Sequence, residues 1–541
     1  MRVSGTSPFA AAAILMTCSI IAHAQVEFGS AGGFGGEGVV VGTTIVVDGS
    51  GSVYALGRFR GGIDFNPSNA VYEINSINSQ TAELNDAYIT KLNANGSFAW
   101  AKSFGGDQAS VSPLAMKRDS AGNLIIVGYF TGPVDFNPDL FDVYELNCSG
   151  QDVFILKLDS AGRFVWVKQF VGNGLAFASG LAIDAADGIV VCGAFSGEVD
   201  FDPGQNFFVH TATFSNVFYA KLNKSGNFLY AKHLVCGDVA AANDLALDSS
   251  GRLFVTGFFQ DTCDFNPGNA SANRTADARD GFVAAYEANG DFRWVQVLEG
   301  VGNSEGAGQS IALRSDGEMW VAGGFEGTFD LDPGPESFQI TVLEKSAFLG
   351  RLDAVGALIT GLVLTGDGAV TARAIVLDSH RNVFLTGGFR GPIDFDPSTS
   401  PFVVTADTDD CFVLRLDADG LFGWVAQQGG EDEDISSAIV CGANGAVHTT
   451  GNYRGVADFD PGAAVVSLLP GGTENAFVSL LNDVTPVFGD VNDDGGVTAQ
   501  DVQLVINGAL GLRVTVDPDL NGDSDVDAVD VQLVINAALD L

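Results

Sequence analysis

Residues 189–204 read IVVCGAFSGEVDFDPG, and the phrase near the end of this stretch, D-F-D-P, recurs along the chain. The phrase D-F-[N/D]-P occurs seven times, with Leu replacing Phe in the fifth copy, and its first residue is Asp64, Asp135, Asp200, Asp264, Asp330, Asp394 and Asp458. A Gly always lies seven residues before this Asp, and an aromatic residue always lies five residues before it. Self-similarity at a fixed period predicts an array of seven equivalent structural units.

Each unit contains four short apolar runs separated by turn residues. In the third unit we expect strands at 181–184, 189–195, 216–222 and 228–234. Pro and Gly in the repeated phrase suit a turn, because Pro presets φ and Gly permits positive φ. Four strands in about 65 residues match one propeller blade, and propellers have about four to eight blades. The sequence therefore predicts a mainly β fold, a seven-bladed β-propeller of four-stranded blades, over residues 25–483.

The two ends of this region predict how the ring closes. The seventh unit supplies three strands and stops near residues 475–481, so its fourth strand is missing there. The segment 25–29 precedes the first strand of the first unit, which we expect at 44–48. Pairing the two ends in one sheet would remove an open edge. We therefore expect the N-terminal strand to complete the last blade.

Two local patterns carry a family resemblance. A D-x-x-G turn followed by a strand ending in T-G occurs at 248–257 and 378–387, and K-L-[N/D]-x-x-G followed by W-[A/V]-K occurs at 91–102 and 157–168. These units resemble the bacterial seven-bladed β-propeller repeat family over roughly residues 26–483. The resemblance implies the fold and says little about chemistry, because such scaffolds serve unrelated functions.

The N-terminal 24 residues have the features of a secretory signal peptide. A short basic start at Arg2 is followed by an apolar run at 9–22, and Ala22-His23-Ala24 forms an A-x-A cleavage site. An alternative is a lipoprotein signal with Cys18 as the lipidated residue, although Thr17 is a poor match to the small residue expected before it. No other segment approaches the roughly 18 apolar residues of a membrane span. We expect a secreted, extracellular or cell-surface protein.

Charge excludes some partners. The chain of 541 residues has 26 Lys and Arg against 67 Asp and Glu, a net charge of -41. Binding of phosphate backbones depends on Lys and Arg. We therefore expect neither nucleic acid nor an anionic membrane surface as a partner, whereas divalent cations suit this charge.

After residue 483 the pattern changes to two loops rich in oxygen side chains, at 490–501 and 519–530. Ca²⁺ takes six to eight oxygen ligands, and loop positions 1, 3, 5, 7, 9 and 12 can wrap one ion. The expected ligands, for two Ca²⁺ ions, are Asp490, Asn492, Asp494, Gly496 through its carbonyl, Thr498 through water, Asp501, Asp519, Asn521, Asp523, Asp525 through its carbonyl, Asp527 and Asp530. Position 6 is Gly495 in the first loop and Ser524 in the second, so we expect the second site to be the weaker.

Each loop leads into a helix, expected at 501–510 and 530–539, with an apolar stripe at i, i+3, i+4, i+7 and i+8. Two such loop-helix units without an incoming helix resemble a type I dockerin over residues 489–541. The resemblance implies Ca²⁺-dependent docking onto a cohesin-type protein, and it implies that loop positions 10 and 11 contact that partner. These positions are Ala499, Gln500, Ala528 and Val529. The alternative is a Ca²⁺-stabilised tail, from 484 to 541, that docks onto nothing.

Other polar residues offer weaker candidates. The Asp of the repeated phrase suits a turn better than a metal site, because a residue present in every unit is more often part of the scaffold. His448 replaces residues such as Ile125 and Phe254 of sister units, which indicates a core histidine. Six cysteines follow the signal segment, and the sequence does not choose among unpaired thiols and up to three disulfides.

One position varies while its neighbours repeat. It lies 21 residues before each repeated Asp, at the expected entrance of the innermost strand, and it is occupied by Thr43, Leu114, Ser179, Asn243, Gln309, Arg373 and Ser437. A ligand in the central channel would meet these side chains, and solvent exposure is the alternative reason for their variation.

Two functions follow from these patterns. The first is a non-catalytic binding or scaffold propeller, with a carbohydrate or protein ligand at its face, since we find no catalytic constellation. The second is a carbohydrate-active enzyme, a polysaccharide hydrolase or lyase, because dockerins often accompany such domains. A glycosidase needs two carboxylates across a cleft. Non-repeated acids such as Asp244, Glu305 and Asp434 are candidates, and nothing in the sequence pairs any two of them.

Overall fold

The computed structural model is mainly β, with two helices near the C-terminus. It describes residues 26–77, 84–139, 141–314, 317–332, 334, 337–396, 401–443, 445–484, 491, 497–510, 512, 514, 518–520 and 526–538. The signal segment 1–24, including Cys18, lies outside the described residues. So do the loop positions Asp490, Asn492, Asp494, Gly495, Gly496, Asn521, Asp523, Ser524 and Asp525.

The described part contains 33 strands. In chain order the first half comprises β1 (Val26–Gly36), β2 (Val39–Val47), β3 (Val53–Arg60), β4 (Gly62–Asp64), β5 (Glu73–Asn75), β6 (Asp86–Leu92), β7 (Phe98–Phe104), β8 (Ser110–Arg118), β9 (Leu124–Asp135), β10 (Glu145–Leu158), β11 (Phe164–Gly172), β12 (Ala176–Ile183), β13 (Ile189–Asp200), β14 (Val209–Leu222), β15 (Phe228–His233), β16 (Val235–Cys236) and β17 (Ala240–Leu247). The second half comprises β18 (Leu253–Asp264), β19 (Asn273–Tyr286), β20 (Phe292–Gly300), β21 (Glu305–Leu313), β22 (Met319–Asp330), β23 (Gln339–Leu352), β24 (Leu358–Gly366), β25 (Ala369–Leu377), β26 (Val383–Asp394), β27 (Val403–Leu416), β28 (Phe422–Gly430), β29 (Ile435–Cys441), β30 (Ala446–Tyr453), β31 (Ala457–Asp458), β32 (Ser467–Leu468) and β33 (Asn475–Asp483).

Antiparallel pairing joins the main strands in successive groups of four. The groups are β2-β3-β6-β7, β8-β9-β10-β11, β12-β13-β14-β15, β17-β18-β19-β20, β21-β22-β23-β24, β25-β26-β27-β28 and β29-β30-β33-β1. We number these groups one to seven. The first strand of each group contacts the first strand of the next, and the first strand of group seven contacts that of group one.

The strands are longer than the apolar runs suggested. In group three, the third strand begins at Val209 rather than residue 216, and the first begins at Ala176 rather than residue 181. The extension of β14 pairs with the end of β13, where His210 lies opposite Val199. Backbone pairing with β13 extends β14 through residues 209–215, VHTATFS, where apolar and polar residues are mixed, and the sequence pattern did not mark this stretch as a strand.

The N-terminal strand joins the last group, as the sequence predicted. Val26 lies opposite Asp483 and Phe28 opposite Leu481, in an antiparallel ladder that continues to Phe34. The end of β1 also pairs with β4, so this strand links group seven to group one. Phe34 is fully buried in a cluster that contains Phe65 of group one and Val478 of group seven. The packing at this junction is therefore continuous.

The repeated phrase is a turn in every group. One carboxylate oxygen of each repeated Asp accepts two backbone N–H bonds, from the residue two positions later and from a residue eight or nine positions later, at 2.8 to 3.1 Å. For Asp200 the donors are the N–H groups of Asp202 and Phe208. These two bonds hold the ends of the turn together and give the repeated Asp a structural role.

The aromatic residues of the repeat form the core of each group. In six groups the aromatic residue five positions before the Asp packs edge to face on the Phe that follows the Asp, as Phe59 does on Phe65, with ring centroids 5.4 Å apart. In the fifth group Leu331 follows the Asp, and Phe325 stacks on Phe329 instead. Edge-to-face pairs of buried rings add to the stability of each sheet. The repeat thus records packing requirements, not chemistry.

Two helices follow, α1 (Ala499–Ala509) and α2 (Ala528–Ala538), each starting two residues before its predicted start. Thr498 caps α1, and its side chain accepts a hydrogen bond from the N–H of Gln500. Val505 of α1 and Val534 of α2 are fully buried in one small hydrophobic core that the two helices share. Leu510 is the last apolar residue of the stripe expected in the helix at 501–510, yet it is 70% exposed, because α1 ends at Ala509 and the chain turns there.

Cys236 and Cys263 form a disulfide and face each other on paired strands, a pairing that sequence could not choose. The other described cysteines, Cys148, Cys192, Cys411 and Cys441, are free thiols. Among the described residues, no helix is long and apolar enough to cross a membrane.

Candidate functional site

The seven variable positions all lie at one kind of irregularity. In the first strand of every group, the regular pairing with the second strand shifts by one residue, and the extra residue at the shift is the variable one. These residues therefore occupy β-bulges within the strands, and the expectation that they stand at the strand entrance was wrong. A bulge re-aims the extra side chain away from the regular ladder.

The structure brings the seven bulge residues together around one cavity of about 600 Å³, which we call the channel cavity. Its wall consists of the first strands of the seven groups, and the lining includes Thr43, Leu114, Ser179, Asn243, Gln309, Arg373 and Ser437. The residues come from positions spread over almost 400 residues of sequence. A concave site with a few convergent polar groups is the usual form of a ligand site.

Two of these residues are engaged within the scaffold. Ser179 donates a hydrogen bond to the carbonyl of Ala242 at 2.6 Å. Asn243 donates one to the carbonyl of Gly308 at 2.7 Å. In each case the acceptor lies on the first strand of the next group, so both side chains tie neighbouring groups together. Their role in the wall is structural, although they still border the cavity.

The charged lining of the channel cavity consists of Lys117, Arg118, Asp244 and Arg373. Asp244 accepts hydrogen bonds from the Ser310 hydroxyl at 2.8 Å and from the N–H of Ile311 at 3.0 Å. Burial raises the pKa of the Asp244 carboxyl, and attraction to Lys117 opposes that rise. Asp244 thus joins groups four and five through bonds to the next first strand.

The other two candidate acids lie elsewhere. Glu305 pairs with Arg279 at 2.9 Å, in a smaller pocket beside the channel cavity. Asp434 is fully buried, and one of its oxygens accepts a hydrogen bond from the N–H of Arg454. Burial, together with the nearby carboxylate of Asp410, raises the pKa of Asp434 to about 7. The structure does not bring any two of the three candidate acids together across one cleft.

His448 is buried at 5% exposure in β30, as the sequence predicted for a core histidine. Its Nδ1 has no hydrogen-bond partner among the described residues. Burial lowers the pKa of the His448 imidazole to about 4, so the ring is neutral at pH 7.

The C-terminal module offers a second site. Asp501 and Asp530, at loop position 12, are both fully buried. Asp501 accepts hydrogen bonds from the N–H groups of Val491 and Thr498, at 2.9 and 2.8 Å. Asp530 accepts the equivalent bonds from Leu520 and Asp527, at 2.8 and 2.9 Å. In both copies the last carboxylate of the loop therefore holds positions 2 and 9 against the start of the helix.

These described groups fit a hard cation. A carboxylate taken out of water is costly unless it is paired or bound to a metal, and each loop buries one at the same place. Carboxylate oxygens are the ligands that Ca²⁺ prefers. Within the described residues no group of three or more His, Cys, Asp or Glu is close enough to hold an ion. Seven of the twelve expected ligands lie outside those residues, so the fit rests on Thr498, Asp501, Asp519, Asp527 and Asp530.

The residues expected to meet a protein partner lie on the surface. Ala499 and Gln500 begin α1, and Ala528 and Val529 begin α2, and all four are exposed. The two copies thus present the same helix positions to solvent.

The C-terminal region matches a known protein family. Residues 488–539 match the model of the dockerin type I domain family. The predicted dockerin-like module is therefore confirmed. Type I dockerins bind calcium and imply a cohesin-type protein partner, and proteins that carry them are typically extracellular or at the cell surface.

The chain also has weaker similarities to other proteins. An uncharacterized WD repeat-containing protein of Acanthamoeba polyphaga mimivirus is 22% identical over 250 residues, which cover 40% of this chain and 18% of that protein. The NanB sialidase of Streptococcus pneumoniae, solved as a mutant, has a TM-score of 0.32 at 10% identity, over 77% of this chain and 65% of that chain. A gluconolactonase of Xanthomonas campestris has a TM-score of 0.25 at 14% identity, over 69% and 96%.

Proposed function

We propose that this chain is a secreted, non-catalytic seven-bladed β-propeller that binds a ligand in its channel cavity and is attached by its dockerin to a cohesin-type partner. The observation that carries the proposal is the convergence of the seven non-repeated bulge residues on one cavity. The repeated Asp serves a turn and the repeated aromatic residue serves a core, so the variable ring is where this chain differs from its own repeat. A ligand site on such a scaffold is expected where the repeat is broken.

The closed ring of seven blades is part of the proposal. It is supported by the seven groups of four strands, by the contacts between successive first strands and by the pairing of β1 with β33. We propose residues 1–24 as the signal peptide, 25–483 as the propeller and 484–541 as the dockerin-like module.

We propose two Ca²⁺ ions in that module, held by the ligands expected from the two loops. Full-length protein titrated with Ca²⁺ in a calorimeter should bind two ions, and Asp501→Asn and Asp530→Asn should each weaken one site by at least tenfold. Asp419→Asn is the matched control and should leave both calcium sites intact. The Asp419 side chain is 81% exposed and belongs to neither loop. No binding by the parent, or equal losses in all three variants, would exclude the two-site proposal.

Docking is tested with a type I cohesin panel and the full-length protein. We expect a cohesin to capture the protein in the presence of Ca²⁺ and to release it when a chelator is added, because Ca²⁺ binding to the loops orders the two helices. Val529→Glu should weaken capture, because this 51% exposed side chain lies at the proposed contact. Calcium binding without capture by any cohesin would favour the tail that docks onto nothing.

The second candidate function is a carbohydrate-active enzyme. Glycosidases use two carboxylates about 5 to 10 Å apart. Among the described residues that line the channel cavity, Asp244 alone is acidic, and its oxygens already accept hydrogen bonds from the scaffold. This favours binding over catalysis. Release of sugars from a polysaccharide panel by the parent, abolished by Asp244→Asn, would overturn the non-catalytic proposal.

A further inference from the structure

A second, smaller pocket opens beside the channel cavity. It has a volume of about 260 Å³ and is lined by residues that include Arg279, Glu305, Lys345 and Arg373. We call it the side pocket. Gln309 and Arg373 line both spaces, so the two are adjoining parts of one concave region. The bulges of groups five and six lie where they meet.

The polar bulge residues divide into two arcs of the ring. On groups three and four, Ser179 and Asn243 already donate hydrogen bonds to the scaffold. On groups five, six, seven and one, the bulge residues are Gln309, Arg373, Ser437 and Thr43, and none of these side chains forms a hydrogen bond with another described residue. The unused donors therefore occupy one continuous arc, and Arg373 lies inside it.

The charge of this region is opposite to that of the molecule. The channel cavity and the side pocket are lined by five basic residues and three acidic ones, whereas the whole chain has 26 basic and 67 acidic residues. Arg279 is held by Glu305 and lies 5.0 Å from the ring of Phe258. Lys345 and Arg373 are exposed and form no ion pair within the described part of the chain. Two cations that have no ion-pair partner among the described residues thus line the side pocket.

We propose that the arc centred on Arg373 binds a small carboxylate-bearing ligand, with the Arg373 guanidinium as the main donor and Lys345 as a second positive charge. A guanidinium presents a planar fork of N–H donors that matches a carboxylate. Gln309 and Ser437, on either side of Arg373 in the ring, supply neutral hydrogen-bonding groups. The side pocket, at about 260 Å³, is smaller than the roughly 300 to 1,000 Å³ of pockets for drug-sized ligands, so it suits a smaller group such as one sugar residue or one dicarboxylic acid. The inference deepens the proposed channel site by naming the chemistry of its ligand.

The test measures binding to the full-length protein by calorimetry at low ionic strength. The probes are glucuronate, its neutral counterpart glucose, and succinate. We expect glucuronate to bind and glucose to bind at least tenfold more weakly. Binding of glucuronate but not succinate would support the proposal for sugar acids, and binding of both would support it for small carboxylates in general.

Two variants locate the binding. Arg373→Gln should weaken glucuronate binding at least tenfold, and Lys345→Gln should weaken it less. Arg163→Gln is the matched control, because its side chain is 69% exposed and pairs with Asp159 away from both spaces. Since Arg373 has no partner within the described residues, its replacement should leave the circular dichroism spectrum unchanged.

Three results would overturn the inference. They are absence of glucuronate and succinate binding, equal affinity for glucose and glucuronate, and equal losses in the Arg373 and Arg163 variants. Binding of glucose that Arg373→Gln leaves intact would remove the anion proposal and would leave the channel as a ligand site. The non-catalytic part of the proposed function fails on a different result, the release of sugars catalysed by the protein.

Discussion

Replacing Phe34 by Ala tests whether β1 holds the two ends of the β-rich body together. Phe34 is fully buried, and its ring centroid lies 6.0 Å from that of Phe65 in group one. The same cluster includes Ala476 and Val478 of β33 in group seven. The side chain therefore stabilises the junction between the first and last groups.

The expected cost follows from its burial. Truncation of a fully buried Phe to Ala costs about 3 to 5 kcal/mol, from lost transfer free energy and from the cavity that remains. Phe28 lies on the same strand and is half-buried. Phe28→Ala should therefore cost less than Phe34→Ala, because a smaller area of this ring is buried.

Urea unfolding of the full-length protein, followed by tryptophan fluorescence and by circular dichroism at a constant Ca²⁺ concentration, measures both variants. Deletion of residues 26–29, which removes the outer part of the ladder with β33, should expose that edge and promote aggregation. A Phe34→Ala protein within about 1 kcal/mol of the parent, or no less stable than Phe28→Ala, would refute the closing role of β1.

Three further changes test individual side chains. Asp200→Ala should destabilise the protein by about 2 kcal/mol, because two N–H groups lose their acceptor, and chelator should not alter this difference in urea midpoint. The pKa of Asp434 is raised to about 7 in the folded state, so the unfolded chain ionises first and the parent loses stability as pH rises from about 4 to about 7. Asp434→Asn should remove that loss, and a parallel pH profile in parent and variant would contradict the assignment. The pKa of His448 is lowered to about 4 in the folded state, so the unfolded chain binds the proton first and the parent loses stability as pH falls from about 6.5 to about 4. In His448→Ile, measurements of the melting temperature over this pH range should not show this loss.

Local sequence patterns predicted strands, turns and helices well where the pattern of apolar residues reflects which side chains are buried. The repeated Asp located a turn in each of the seven groups, and the ends at 26–29 and 475–481 lie in one ladder. The apolar stripes located both helices to within two residues. Strand ends were missed where a stretch of mixed apolar and polar residues, such as residues 209–215 at the start of β14, is held by pairing across the sheet.

Sequence by itself determined the repeat, the turn residues, the core rings and the loop-helix units, because each depends on residues close together in the chain. Tertiary structure decided which of the variable side chains donate hydrogen bonds to a neighbouring group and which, among the described residues, do not. Ser179 meets the carbonyl of Ala242, 63 residues away, and Asn243 meets that of Gly308, 65 residues away. It also placed Arg373 and Lys345 beside one pocket. No local pattern contains this information, since a bulge sets the direction of a side chain but the neighbouring strand decides what that side chain meets.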